Sequence, residues 1–495
     1  MIFHWPRVVS ALFLVLVFSV TAVAQTPLPA IAHQTNDGSP QIHGPRVVGA
    51  TPARPFLLLI PATGTGPLLY SARGLPAGLS LDAQTGVISG AVKTASLSLA
   101  KLHVSGPLGT ATRNLTIIAG RHQLAQTPPM GWNSWNAYGC GVTGEKVRAA
   151  ADDLVKSGLA RRGYALVNVD DCWQGARDES GQITANSKFG DMKALGDFIH
   201  ARGLKFGIYS APSPQTCAGF VGSYGHEFDD AKTYGRWGVD YLKYDYCGYD
   251  SVAREVGRER YLAPFARMRT ALDVAGRDIV YSISQYGKSE VWQWAGRAPV
   301  GANLWRTSRD LKGNYGSVAR IGFAQDGLAN WAAPGRWNDP DMLYLHKLSP
   351  PAQMTQMTLW SLLAAPLLIG SDIAKLSPLS LDLLANSEVI EVDQDPLGIG
   401  ARRVARNGQT EVWARPLWDG TVAVGVFNRG SEAAKVVVNW KELGLSGAQP
   451  ARDLWRKTDL GELESLTATV LPRGAVLVKV GRPKARDYVP VWWRG

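Results

Sequence analysis

Three runs decide the fold: YALVNVD at residues 164–170, LKFGIYS at 204–210 and VDYLKYD at 239–245. Each has the length and apolar density of a strand buried on both faces. Segments with helical spacing accompany them, such as EKVRAAADDLVKSGLA (145–160) and DMKALGDFIHARG (191–203). Buried strands alternating with amphipathic helices argue for a parallel sheet with right-handed crossovers. Working outward, further strand runs are DIVYSIS (278–284), ANLWR (302–306) and APLLIG (365–370). A first strand near MGWNSW (130–135) and another near GRWNDPDM (335–342) complete eight units. Eight units over residues 127–397 predict a (β/α)8 TIM barrel of α/β class. An open doubly wound sheet is the alternative. It wants a Gly-rich phosphate loop after its first strand, and none is present.

The flanks read differently. Residues 41–120 carry short β-rich runs between Gly/Pro turns, which predicts a small β-sandwich. Residues 398–482 return to β pattern (TEVWARPL, TVAVGVFNR, KVVVNW, AVLVKV), with Asp419-Gly420 as a hairpin turn signal, and predict an antiparallel β-sandwich. Residues 25–40 read as a linker and 483–495 as a tail. Residues 1–24 read as a signal peptide: Arg7, an apolar run from Val8 to Val20, then Ala22-Val23-Ala24. The expected mature protein starts near Gln25, is secreted or periplasmic, and keeps no membrane segment.

Composition narrows the function. The chain has 495 residues, 45% hydrophobic and 19% charged, which excludes a disordered chain. The net charge of +11 is scattered in single residues and pairs, so a nucleic-acid partner is not expected. Cys140, Cys172, Cys217 and Cys247 show no C-x-x-C spacing, which argues against zinc. In an oxidising compartment they can pair, and their number leaves three connectivities open. There are 17 Trp, ten of them between Trp132 and Trp360. They supply flat apolar surface for packing or for stacking on a ligand.

In a TIM barrel the site lies at the C-terminal ends of the strands. Those ends carry Trp135, Asp170-Asp171, Tyr209, Lys243-Tyr244-Asp245, Gln285, Arg306 followed by Asp310, and Asn338-Asp339-Pro340-Asp341. The ring is acidic and aromatic, with no Ser–His or Cys–His nucleophile. Paired carboxylates among aromatic side chains suit a glycosidic bond. One carboxylic acid protonates the leaving oxygen, and a second, ionised, acts as nucleophile or base. Strand alternation puts Lys243 and Asp245 on one side, where the cation would favour an ionised Asp245. Each feature also has a structural reading: a Lys–Asp pair closing the barrel, a loop ion pair at Asp310, a helix cap or cation site at Asp170-Asp171, and a turn at Asn338-Asp339-Pro340.

The motifs MGWNSWNAYGC, NVDDCW, GIYSAP, TCAGFVGS, YLKYDYC, LWRTSRD, GRWNDPDM, LLAAPLLIGSD and DQDPLG, in this order, resemble glycoside hydrolase family 27, the α-galactosidase (melibiase) family of clan D. The likeness runs from about Thr127 to Gly398 and more weakly beyond. Separately, GLPAGLSLDAQTGVISG (74–90) resembles bacterial Ig-like repeats. The family resemblance implies a retaining, exo-acting α-galactosidase with Asp245 as nucleophile and Asp310 as acid/base. It implies that Asp170 and Asp171 hold the sugar 4- and 6-hydroxyls and that Lys243 and Arg306 contact the 3- and 2-hydroxyl region. Trp135, Tyr209, Cys217 and Asp341 would line the pocket. It implies disulfides Cys140–Cys172 and Cys217–Cys247, no metal and no organic cofactor. The substrate would be a terminal α-galactoside of an oligosaccharide or a galactomannan side chain. Where many family members carry Glu in a C-E-W motif against the 2-hydroxyl, this chain has Ser284-Gln285-Tyr286, so Gln285 is expected there. A related α-glycosidase, such as an N-acetylgalactosaminidase, and a non-catalytic sugar-binding protein are the alternative readings.

Overall fold

The computed structural model describes residues 31–33 and 38–484, together with Met1. The expected signal peptide, most of the linker and nearly all of the tail lie outside the described residues.

The central sheet has eight strands: β1 (Met130–Asn133), β2 (Leu166–Asn168), β3 (Lys205–Ser210), β4 (Tyr241–Asp245), β5 (Val280–Ser284), β6 (Leu304–Arg306), β7 (Trp337–Asp339) and β8 (Leu367–Ile369). They pair in parallel in the order β7-β6-β5-β4-β3-β2-β1-β8. Leu343, just past β7, bridges in parallel to Ile369 and closes the barrel. The helices of seven or more residues are α1 (Gly144–Lys156), α2 (Met192–His200), α3 (Glu227–Trp237), α4 (Glu259–Asp273), α5 (Tyr315–Gly322), α6 (Pro350–Leu363), α7 (Pro378–Ala385) and α8 (Ser387–Asp393). Their starts follow capping chemistry. Thr143 accepts from Lys146 N, Asp191 from Lys193 N and Ala194 N, and Asn314 from Ser317 N. The sequence pattern fails at one place. The β5–β6 connection has only a 3-10 turn, Val291–Gln293, where the alternation calls for a helix.

Register fixes which residues face the axis. Leu166, Tyr241, Leu304, Trp337 and Leu368 pack together as the lowest interior layer. Two residues further along lie Asn168, Lys243, Arg306 and Asp339, with Gly370 just past β8. One more step of the same parity gives Asp170, Asp245 and Asp341. The barrel therefore changes from apolar to charged along its own axis, toward the C-terminal face.

Residues before the barrel form a four-stranded sheet (order Val47–Ala50, Gly109–Ala119, Ser96–Gly106, Leu69–Arg73) and a three-stranded sheet (Phe56–Leu59, Val87–Gly90, Leu79–Leu81). Ile60, Ile88, Leu102, Val104 and Ile117 belong to their shared core. Residues after it form a six-stranded antiparallel sheet and a two-stranded one. Asp419-Gly420 lies in the hairpin between Thr410–Pro416 and Val422–Asn428, where Asp419 Oδ1 accepts from Thr421 N and Oγ1. This C-terminal unit shares one continuous core with the barrel through α6, which is buried almost all round. That burial explains why the apolar and polar residues of α6 are not segregated onto two faces. Arg415, fully buried, donates to the Ser361 carbonyl across this junction, and Trp455 Nε1 donates to Thr358 Oγ1.

Candidate active site

The loop after β2 turns back sharply at Cys172, whose φ is +81°. Asp170 Oδ2 accepts from Asn133 Nδ2 and from Lys243 Nζ, both at 2.8 Å, and its Oδ1 accepts from Asp171 N. Asp171 accepts from Cys172 N (2.7 Å) and Ala218 N (2.9 Å). Both carboxyls are almost wholly buried. Burial raises the pKa of Asp171 despite these donors. Two carboxyls held this way are rigid acceptors for hydroxyl groups.

Asp245 ends β4 and is 5% exposed. Burial pushes its carboxyl up to about 7, against the pull of Lys243, of a hydrogen bond from the Tyr286 hydroxyl, and of Arg306. For Lys243, burial works against the charge, but Asp170 and Asp245 outweigh it and raise its pKa. The ammonium also sits 5.3 Å from the centre of the Tyr209 ring. Arg306 is buried too, and Asp341 leads the carboxylates that hold it charged. It bridges Asp341 Oδ2 at 2.8 Å and Asp310 Oδ1 at 3.2 Å. Asp341 also accepts from Leu311 N and Met342 N, so the loops after β6 and β7 are tied together. Asp310 differs from the other carboxylates. Its side chain is 73% exposed, so it is open to exchange protons with solvent.

Cys140 pairs with Cys172 and Cys217 with Cys247, with Cα separations of 5.2 and 5.1 Å. The second disulfide forms part of the pocket wall: Tyr209 Oη donates to Cys217 Sγ at 2.9 Å. Cys217, Asp245 and Cys247 converge as a metal-ligand trio would, but both sulfurs are spent on the disulfide. The pocket bounded by these groups has a volume of about 140 Å³. Trp135, Asp170, Asp171, Tyr209, Cys217, Lys243, Asp245, Arg306, Asp310 and Asp341 all line it. A larger cavity of about 990 Å³ lies at the other end of the barrel, against the N-terminal sandwich. Its acids are already bound up with bases, Asp273 with Arg121 and Arg269 and Asp278 with Arg54. The small pocket has the convergent, pKa-shifted groups that chemistry requires.

Gln285 departs from expectation. It is fully buried, both amide atoms lack a partner, and it is absent from the pocket lining. Tyr286 lines the pocket instead. Parity is the reason. Lys243 and Asp245 pair with Ser282 and Ser284, so Gln285, the next residue, faces the wall, and the left-handed turn at Tyr286 (φ +62°) carries that side chain to the pocket. Asn136, Leu311, Met342 and Tyr344 also line the pocket without having been singled out. Loop paths bring them there, and no strand period encodes those.

Residues 127–395 match the family described as alpha galactosidase A, and residues 407–480 match the alpha galactosidase C-terminal beta sandwich domain. Residues 40–118 match a family of Ig domains. The alpha-galactosidase of Oryza sativa subsp. japonica is 42% identical over 357 residues, covering 70% of this chain and 83% of that protein. A crystal structure from Bacteroides fragilis superposes with a TM-score of 0.85 at 34% identity, covering 90% of this chain and 98% of that one. Alpha-galactosidase I of Mortierella vinacea gives a TM-score of 0.69 at 31% identity, covering 74% and 100%.

Proposed function

Because the chain belongs to the α-galactosidase (melibiase) family, glycoside hydrolase family 27, we propose that it is a retaining, exo-acting α-galactosidase. It removes terminal α-linked galactose from oligosaccharides or galactomannan side chains. One observation carries the reading: a buried carboxylate, Asp245, and an exposed one, Asp310, line the same small pocket with the half-buried Lys243 and the buried Arg306 set between acids.

In this reading Asp245 attacks the anomeric carbon while Asp310 gives its proton to the leaving oxygen. Water then attacks the glycosyl-enzyme, with Asp310 taking the proton. Solvent exposure lets Asp310 reload between the two steps. Lys243 and Arg306 pull Asp245 toward its ionised form, against the burial that raises its carboxyl to about 7. Asp170 and Asp171, fixed by backbone and side-chain donors, accept from the 4- and 6-hydroxyls. Lys243 and Arg306 reach the 3- and 2-hydroxyl region, and Trp135, Tyr209, Cys217 and Asp341 complete the wall. A pocket of about 140 Å³ suits one sugar ring and supports exo action. The two disulfides agree with an oxidising, secreted or periplasmic setting.

A panel of nitrophenyl glycosides tests the sugar. The α-galactoside should be cleaved fastest. A faster α-N-acetylgalactosaminide would replace this reading with the related glycosidase, and turnover of neither would point to a binding protein.

A further inference from the structure

Tyr286 stands two residues past the end of β5 with φ +62°, a left-handed conformation that an aromatic residue adopts only when its surroundings impose it. The surroundings here do so. Lys288 N donates to the Gln285 carbonyl at 3.3 Å, and Gly287, also left-handed at φ +79°, donates to the Arg306 carbonyl at 3.2 Å. The turn is thus pinned to β6. It aims the phenol at Asp245, whose Oδ1 accepts the hydroxyl proton. Behind the hydroxyl stand the disulfide sulfurs, Cys247 Sγ at 3.4 Å and Cys217 Sγ at 3.8 Å.

We propose that Tyr286 is a positioning residue for the nucleophile: it occupies Oδ1, leaves Oδ2 for the bond to the sugar, and speeds release of the glycosyl-enzyme more than its formation. This rests on the reading of Asp245 as nucleophile. In the first step Oδ2 bonds to the anomeric carbon as the bond to the leaving oxygen breaks, and Asp310 supplies that oxygen with a proton. Asp245 loses its charge, so the hydrogen bond at Oδ1 weakens. In the second step a water oxygen bonds to the same carbon, Asp310 takes a water proton, and the electron pair of the C–Oδ2 bond returns to Asp245. The charge reappears on a carboxylate whose Oδ1 already faces a fixed donor. A donor that binds more strongly as charge develops lowers the barrier of that step. The same donor favours ionised Asp245 in the free enzyme, because it binds the anion better than the acid.

The test compares wild type with Tyr286→Phe on p-nitrophenyl α-galactoside. It reads pH profiles of kcat/KM, kcat and KM separately, and the intact mass of acid-quenched enzyme. The acidic limb of kcat/KM should move up by about half to one pH unit. Above that limb kcat should fall by roughly tenfold and KM fall with it, because the second step now limits turnover. The quenched variant should carry one galactosyl group. Thermal melting should stay close to wild type. An unmoved limb overturns the inference, as does a raised KM with kcat unchanged, which would make Tyr286 a sugar contact only. Wild type that leaves the galactoside intact overturns the parent reading, and this one with it.

Discussion

Replacing Asp245 by Asn should abolish turnover and, at neutral to alkaline pH, make the protein more stable. Burial holds this carboxyl near 7, against 3.8 for a free one. The sign follows from proton counts. Below about pH 4 both the folded and the unfolded chain keep the proton, and ionisation costs nothing. Between about 4 and 7 the unfolded chain releases the proton and the folded one retains it, so stability falls as pH rises. Above about 7 the full cost applies. At 1.36 kcal/mol per pH unit it reaches at most about 4 kcal/mol. Asn carries no such cost and can still accept the Tyr286 hydroxyl. Its drawback is that Lys243 loses one neighbouring acid, but Asp170 remains at 2.8 Å. A net gain of about 1–3 kcal/mol is expected, or on the order of 2–4 °C in melting temperature for a chain of this size. Thermal unfolding of wild type and Asp245→Asn near pH 8 and near pH 5 measures it. The gain at pH 5 should be less than half that at pH 8. A variant that melts below wild type at pH 8, or gains more at pH 5, would show that the buried charge of Asp245 does not cost stability.

Three further outcomes are expected. Asp310→Ala removes an exposed side chain, so melting should barely change. Its kcat/KM should fall by about 10²–10⁴ on raffinose but much less on nitrophenyl substrates, whose leaving group needs no proton. Asp170→Ala takes the carboxylate at 2.8 Å from the Lys243 ammonium and should cost about 3 kcal/mol in denaturant unfolding, with turnover lost. Arg415→Met strands Asp393 and Asp395 in the junction between barrel and sandwich, and burial already raises both. It should destabilise by about 3 kcal/mol at pH 8. The loss should shrink as pH falls toward about 6, because without Arg415 the Asp395 carboxyl takes up its proton at a higher pH than in wild type; a pH-independent loss would count against this.

The barrel was legible because each strand is buried on both faces and so appears as an uninterrupted apolar run. The charged strand ends were legible for the same reason, since Asp170, Lys243, Asp245 and Arg306 break those runs at their C-terminal ends. What escaped had weaker local signals. The β5–β6 connection lacks its helix, and its residues carry no strong period either way. Gln285 was placed by likeness to a motif, while the turn after β5 hands the pocket to Tyr286. Trp shows the same division between local and tertiary information. Trp132, Trp173, Trp305, Trp337 and Trp360 are wholly buried, and Trp135, at 36% exposure, is the one that lines the pocket.

The proposed reaction is a double displacement at Asp245 assisted by Asp310. Proton NMR during the first turnovers of p-nitrophenyl α-galactoside tests it most directly, because the first anomer formed records the number of displacements. α-Galactose should appear first, with the β anomer growing in only by mutarotation. β-Galactose as the first product would contradict it.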